Sequence, residues 1–104
     1  MAHIEIPFRE DMRQAIADGA KSCTSRNKRY GEIGDTFEVD GRAYRLTSVR
    51  RYSLGAVAAR LFALEGTYSA KDFERLWVEI HPRKGWDPEQ LVWTHFFEEV
   101  SAVA

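Results

Sequence analysis

Thr36-Phe37-Glu38-Val39-Asp40-Gly41-Arg42-Ala43-Tyr44-Arg45-Leu46 is the stretch on which the fold turns. Thr36 to Val39 carries the β-branched and aromatic residues of a strand. Asp40-Gly41 then gives the strongest hairpin signal in the chain, because a type I′ turn needs positive φ at both central residues. The returning strand runs from Arg42 to about Tyr52. Its alternation leaves the inward face open, with Tyr44 and Leu46 as the natural core candidates.

Downstream of the hairpin, Ser53 is placed to cap a helix through Leu54, Val57, Ala58, Leu61, Phe62 and Leu64, spaced to give one broad apolar face. Glu65-Gly66 ends it. Ser69, with Asp72 three positions on, opens a second helix in the manner of a capping box, Asp standing for the usual Glu or Gln. Phe73, Leu76, Trp77 and Ile80 follow at helical spacing until Pro82 stops the run. After a turn through Lys84-Gly85-Trp86-Asp87-Pro88, the β-branched and aromatic run from Leu91 to Phe97 reads as a closing strand.

Upstream, Ile4, Ile6 and Phe8 alternate around Pro7 and suit a short first strand at an edge, since proline cannot donate to a ladder. A modest apolar stripe of Met12, Ala15, Ile16 and Ala17 predicts a helix from Arg9 to Asp18, closed by Gly19. Lys21 to Asn27 resumes an extended pattern, and Lys28 to Asp35 forms a loop with two glycines. The order is approximately βαβββααβ. Helices that do not alternate strictly with strands give an α+β class, and a curled mixed sheet closing as a small barrel flanked by helices is compatible with it.

Length and composition agree: 104 residues suit a single domain spanning 1–104. An apolar fraction of 44% beside 30% charged residues is that of a globular chain rather than a disordered one. Ala56 to Leu64, interrupted by Arg60, falls far short of the roughly 20 apolar residues of a membrane span. The first residues show neither a basic region nor a long apolar one, so a secretory signal is not expected and a cytoplasmic location follows by default. One cysteine, Cys23, excludes an internal disulfide. The net charge of −1 hides an uneven distribution, for the segment from Lys21 to Arg51 holds eight basic residues against four acidic ones. A local basic face can recruit phosphate although the whole chain is not basic, and the same residues also suit solvated strand faces.

The string that bears on chemistry is Gly19-Ala20-Lys21-Ser22-Cys23-Thr24-Ser25-Arg26, which leaves a helix through glycine and enters a strand. If Lys21 and Thr24 share a turn-to-strand segment, an amine and a hydroxyl can converge at a groove. A partly desolvated lysine loses proton affinity and can activate a neighbouring hydroxyl as a nucleophile. A solvated lysine beside a strand threonine is the plain alternative. Arg26 suits contact with a phosphate or carbonyl, or equally a salt bridge to Asp35 or Glu38 on neighbouring strands. Tyr30, Trp86 and Trp93 offer rings for base stacking, with Trp93 in an apolar strand better suited to the core and Trp86, beside Lys84, the stacking candidate. His3, His81 and His95 lack zinc-site spacing, so neither a metal nor another cofactor is expected. Gly31 and Gly34 belong to neither a Walker nor a dinucleotide motif.

Pro7-Phe8 before a helix, Gly19-x-Lys21-x-x-Thr24-x-Arg26, Gly34-Asp35-x-Phe37-x-Val39, Tyr44-x-Leu46, and Glu65-Gly66 followed by Phe73 and Trp77 occur in one order across most of the chain. In that ordered set the chain resembles the ASCH domain family, and in length its short single-domain members. The resemblance implies a PUA-like barrel with a groove suited to RNA and, in some short members, an amidohydrolase that removes acetyl from N(4)-acetylcytidine. It implies a catalytic set of Lys21, Thr24 and a downstream glutamate, which is Glu65 with a one-residue gap, Glu74 being the competitor. Ligand contacts are then expected from Arg26, Lys28, Arg29 and Trp86. Lys21 would take the Thr24 proton, Thr24 attack the acetyl carbonyl, and Glu65 assist departure of the amine, or Glu65 would activate water directly. The expected partner is a modified nucleoside or RNA and not a membrane. The alternatives are a non-catalytic RNA-binding module and a single-strand ribonuclease, the latter without paired histidines to support it.

Overall fold

The computed structural model describes residues 2–100. Four strands, β1 (Cys23–Arg26), β2 (Thr36–Val39), β3 (Arg42–Ser53) and β4 (Leu91–Glu99), form one antiparallel sheet in the order β1-β4-β3-β2. The sheet curls into a half-barrel flanked by helices, in an α+β chain. Curling has a local cause: the β3 to β4 register shifts between Leu46 and Ser48, so Thr47 is an extra residue, and a bulge bends the strand that carries it. Asp40 and Gly41 take φ of 49° and 84°, the two positive values that the hairpin turn requires.

The expected first strand is reduced to one bridge. His3 pairs parallel to Thr36, Ile4 N donates to Thr36 O at 2.7 Å, and beyond that the chain leaves the sheet. Pro7 has no N–H with which to continue a ladder, and its carbonyl is taken instead by Arg26. The order among the described residues is therefore αβββααβ, with the bridge as the parallel component of the barrel.

Helix α1 (Glu10–Ala17) ends in a Schellman turn. Gly19, at φ 79°, donates to Ile16 O at 3.1 Å, and Ala20 N donates to Ala15 O at 2.9 Å. The chain thus enters β1 in a fixed direction through Lys21. The helix after β3 starts as α2 (Leu54–Ala56), capped by Ser53 Oγ accepting from Ala56 N, and continues as a π-helical turn over Val57–Leu61. Helix α3 (Ala70–Ile80) is capped by Ser69 Oγ, which accepts from Asp72 N at 3.0 Å, while the Asp72 carboxylate reaches back to Tyr68 N at 3.1 Å. That is the capping-box reciprocity, displaced by one residue because the aspartate reaches the amide ahead of the cap.

Two apolar clusters fill the molecule. Phe37, Tyr44, Leu46 and Phe97 of the sheet pack on Ile6 and Ile16, with Phe8 at their margin. Leu54, Val57, Phe73, Trp77 and Val92 form the second, under the helices. Between the two run the buried polar residues of β1 and β4: Thr24, Ser25, Thr94 and His95.

Candidate functional site

A cavity of about 670 Å³ opens between β1, the segment that leads into α1, and α3. Its apolar wall includes Phe8, Met12, Phe73, Leu76, Trp77 and Ile80. Lys21, Thr24, Ser25 and Glu65 are its buried polar residues, and Arg26, Lys28 and Tyr30 also line it.

Lys21 and Glu65 are brought together by backbone. The two residues form an isolated antiparallel bridge, and Ser22 N and Cys23 N donate to Leu64 O at 2.8 and 3.1 Å. Gly66 makes this approach possible. It sits at φ 90°, and a Cβ there would stand 3.1 Å from Lys21 Cβ. The Lys21 ammonium, 4% exposed, donates to Cys23 O at 2.7 Å, Glu65 O at 2.9 Å and Glu65 Oε1 at 3.1 Å. Three acceptors match its three hydrogens. The other carboxylate oxygen, Oε2, accepts from Ser25 Oγ at 2.6 Å, and since serine has one hydrogen, the 2.7 Å contact between Ser25 and Thr94 is donated by Thr94.

Thr24 stands beside this network without joining it. Its Oγ1 accepts from Arg26 Nε at 3.0 Å, so its own hydrogen is uncommitted. Arg26 donates again to Pro7 O at 2.6 Å and lies over the rings of Phe8 and Tyr30, 5.0 and 5.5 Å from their centroids. It makes no salt bridge to Asp35 or Glu38. Asp35 is occupied by the amides of Ala2 and Glu32, each at 2.8 Å. Burial pushes the Arg26 guanidinium down from its ordinary value, opposed by Tyr30 and Glu65. His95 is wholly buried behind Thr24. Its Nε2 accepts from Tyr30 N at 3.0 Å, which puts the hydrogen on Nδ1, donated to Thr24 O at 3.2 Å. Burial pushes this imidazole down, against the carbonyl contact that holds it up. Cys23 is an inert thiol, pushed far up by burial and then by the Glu65 charge.

The structure therefore brings Lys21, Thr24, Glu65, Arg26 and Lys28 to one cavity and leaves two expected ligand residues outside it. Glu65 rather than Glu74 is the carboxylate that meets Lys21, for Glu74 lies on α3 and does not line the cavity. Trp86 is turned to another use: its ring packs edge-on against Phe73 at 6.3 Å, in the second apolar cluster. Arg29 donates to Gly31 O and lies over Trp93. Ser25, Thr94 and His95 were not singled out from the sequence. Ser25 stood inside the quoted string, but Thr94 and His95 become neighbours of β1 only through the register Ser25 to Thr94 and Thr24 to His95. Among the described residues no three histidine, cysteine or carboxylate groups come close enough to hold a metal, and no helix is long and apolar enough to cross a membrane.

No family model and no curated protein matches the chain. Solved structures do. An ASCH domain from Lactobacillus crispatus JV V101 is similar with a TM-score of 0.67 at 16% identity, over 94% of this chain and 78% of that one. The hypothetical protein PH0355 is similar with a TM-score of 0.72 at 16% identity, over 96% of this chain and 100% of its own. Protein PF0455 from Pyrococcus furiosus, solved in solution, gives 0.61 at 14% identity, over 97% and 96%. At such identities the likeness is one of fold, and the fold is ASCH-like.

Proposed function

We propose that this ASCH-like domain takes an acylated cytosine nucleoside into its cavity and hydrolyses the amide, with N(4)-acetylcytidine as the reference substrate. The observation that carries the reading is the Lys21 and Glu65 pair, buried on the wall of a largely apolar cavity. A buried ion pair adds little stability over an apolar replacement, whereas paired titratable groups in a cleft are what acid–base chemistry needs. One proton moving from Lys21 Nζ to Glu65 Oε1, along their 3.1 Å hydrogen bond, converts the pair to an amine and a carboxylic acid.

With its lone pair turned from Glu65 Oε1 toward Thr24 when substrate is bound, the amine takes the proton of Thr24 as its oxygen attacks the acetyl carbon, and the carbonyl electron pair moves to oxygen. Arg26 Nε, already donating to Thr24 Oγ1, steadies the charge that gathers on that atom. As the carbonyl re-forms, the C–N bond breaks and Glu65 gives its proton to the departing cytosine nitrogen, leaving acetyl on Thr24. Water then loses a proton to the Glu65 carboxylate and attacks the ester. Thr24 leaves with the proton held by Lys21, acetic acid is released, and the pair is restored.

The test is incubation of the purified protein with N(4)-acetylcytidine, following cytidine, with Thr24→Ala alongside. Turnover by the native chain and its loss in the folded variant are expected. Full activity in the variant would remove Thr24 from the reaction, and no turnover by the folded native chain would overturn the hydrolase reading.

A second reading, a non-catalytic RNA-binding module, draws on one observation. All three hydrogens of Lys21 are engaged, and none of its hydrogen bonds goes to Thr24. In that reading the lysine organises a groove that grips its ligand unchanged, and RNA binding with steep salt dependence accompanies an absence of turnover.

A further inference from the structure

In the acyl transfer described above, negative charge gathers on the acetyl oxygen, while Lys21, Glu65 and Arg26 Nε are committed to other atoms. A donor fixed where that oxygen stands is among the largest aids such a reaction can have. The strand that carries Thr24 supplies one.

β1 is the outermost strand of the sheet, so only one of its edges is paired with another strand. Phe97 N donates to Ser22 O at 3.0 Å, which sets the phase of the ladder. Thr24 opposite His95 and Arg26 opposite Trp93 then turn their backbone groups toward β4 as well, and Cys23 and Ser25 turn theirs to the outer edge. Both groups of Cys23 find partners there: its N–H donates to Leu64 O at 3.1 Å, and its carbonyl accepts from Lys21 Nζ at 2.7 Å. The N–H of Ser25 has no such partner among the described residues, although Ser25 is only 6% exposed. Buried backbone donors left unpaired are rare in native proteins, and this one belongs to a residue of the cavity wall.

Side-chain alternation places it more closely. The Thr24 hydroxyl meets Arg26 on one face of β1, and the Ser25 hydroxyl meets Glu65 on the other. The outer edge lies between those faces, so a carbonyl laid along it is reached by Thr24 from one side and by the Lys21 and Glu65 pair from the other. Because the nucleophile and the amide belong to consecutive residues of one strand, the chain itself holds them side by side.

We infer that the Ser25 backbone N–H is the oxyanion donor of this site. The inference rests on the hydrolase reading and adds a catalytic group to it. As the bond from Thr24 Oγ1 to the acetyl carbon forms, the π pair of the carbonyl moves onto oxygen and the Ser25 N–H donates to that oxygen. On collapse the pair returns, the bond to the cytosine nitrogen breaks, and the nitrogen takes the Glu65 proton. The same N–H then holds the ester carbonyl for the attack of water, and its own protonation never changes.

The experiment measures kcat and KM on N(4)-acetylcytidine for the native chain, Ser25→Ala and Ser25→Pro. Both variants lose the hydroxyl, but only proline loses the N–H, and a strand tolerates proline where the N–H points away from the ladder. Ser25→Pro is expected to fall below Ser25→Ala by about 10²–10³-fold in kcat, with KM little changed between them. A full-length chain with an ester in place of the Thr24–Ser25 amide, joined by ligation at Cys23, keeps the hydroxyl and replaces only the N–H. It is expected to lose kcat against the native chain on the same scale, and it decides the matter if the proline variant fails to fold.

Turnover by the native chain with native kcat in the ester chain, or a loss confined to KM, overturns the oxyanion assignment and leaves the hydrolase reading intact. No turnover by the folded native chain overturns both.

Discussion

Lys21 and Glu65 are each about one-twentieth exposed, and each depends on the other for its charge to be tolerated. Lys21→Met leaves the carboxylate with the Ser25 hydroxyl alone, and Glu65→Leu leaves the ammonium with two carbonyls. Removing one member of such a pair costs about 3–5 kcal/mol, while replacing both by apolar residues of similar size is far cheaper. Urea unfolding of the two single variants and the double is expected to show the double more stable than either single, and all three inactive on N(4)-acetylcytidine. A double variant that loses the sum of the single losses would mean that the residues act independently. At this scale the sequence was legible where neighbours in the chain are neighbours in space. Lys21, Thr24, Ser25 and Arg26 stand within one short string, and Glu65 followed from the family resemblance. Thr94 and His95 are about 70 residues further along and join the site by strand register, which alternation of apolar residues does not disclose.

Among elements, the turn at Glu65 and Gly66 does most to build the site. It follows the π-helical turn over Val57–Leu61, docks on residues 21–23 and delivers the Glu65 carboxylate to Lys21. Gly66→Ala meets two obstacles together, a φ of 90° and a Cβ placed 3.1 Å from Lys21 Cβ and 3.4 Å from Ala15 Cβ. Backbone strain of this kind costs on the order of 1–3 kcal/mol. A fall in melting temperature is therefore expected, with a larger fractional loss of turnover, as the turn lifts away from the lysine. Retention of full activity and stability would show that the turn tolerates a side chain. The Gly66 signal was read from sequence as a helix stop, and its second role, the close approach to β1, needs the fold to be seen. The π turn escaped the apolar pattern for a different reason: Val57 and Ala58, its buried residues, continue the apolar face begun by Leu54, and that spacing does not register the widening of a single turn. Conversely, the hairpin at Asp40-Gly41 and the caps at Ser53 and Ser69 were legible because each rests on one local backbone requirement.

Over the whole molecule, the two apolar clusters are joined by a polar seam, and His95 is its most heavily buried titratable member. The ring ties β4 to the Thr24 carbonyl of β1 and to the Tyr30 amide, so it holds the sheet edge and the cavity loop together. Burial first, and then the charges of Arg26 and Arg29, push it below its ordinary value, while the bond to Thr24 O partly resists. In the unfolded chain the imidazole titrates near 6.5. Below that pH the unfolded chain binds a proton that the native one refuses, so unfolding is favoured as pH falls. The stabilisation is complete above about pH 6.5 and declines below it by up to about 1.4 kcal/mol per pH unit, until the folded ring itself protonates. Asp35 acts lower on the scale: the Glu32 and Ala2 amides hold its carboxylate below the usual range, so its contribution is lost only in stronger acid. Unfolding free energies measured by urea between about pH 7.5 and pH 5 should therefore slope downward toward acid in the native protein. His95→Leu should start less stable and show a flatter profile through the same window. An equally steep profile in that variant would place the acid sensitivity on other groups, and the seam would then owe its integrity to packing rather than to a neutral imidazole.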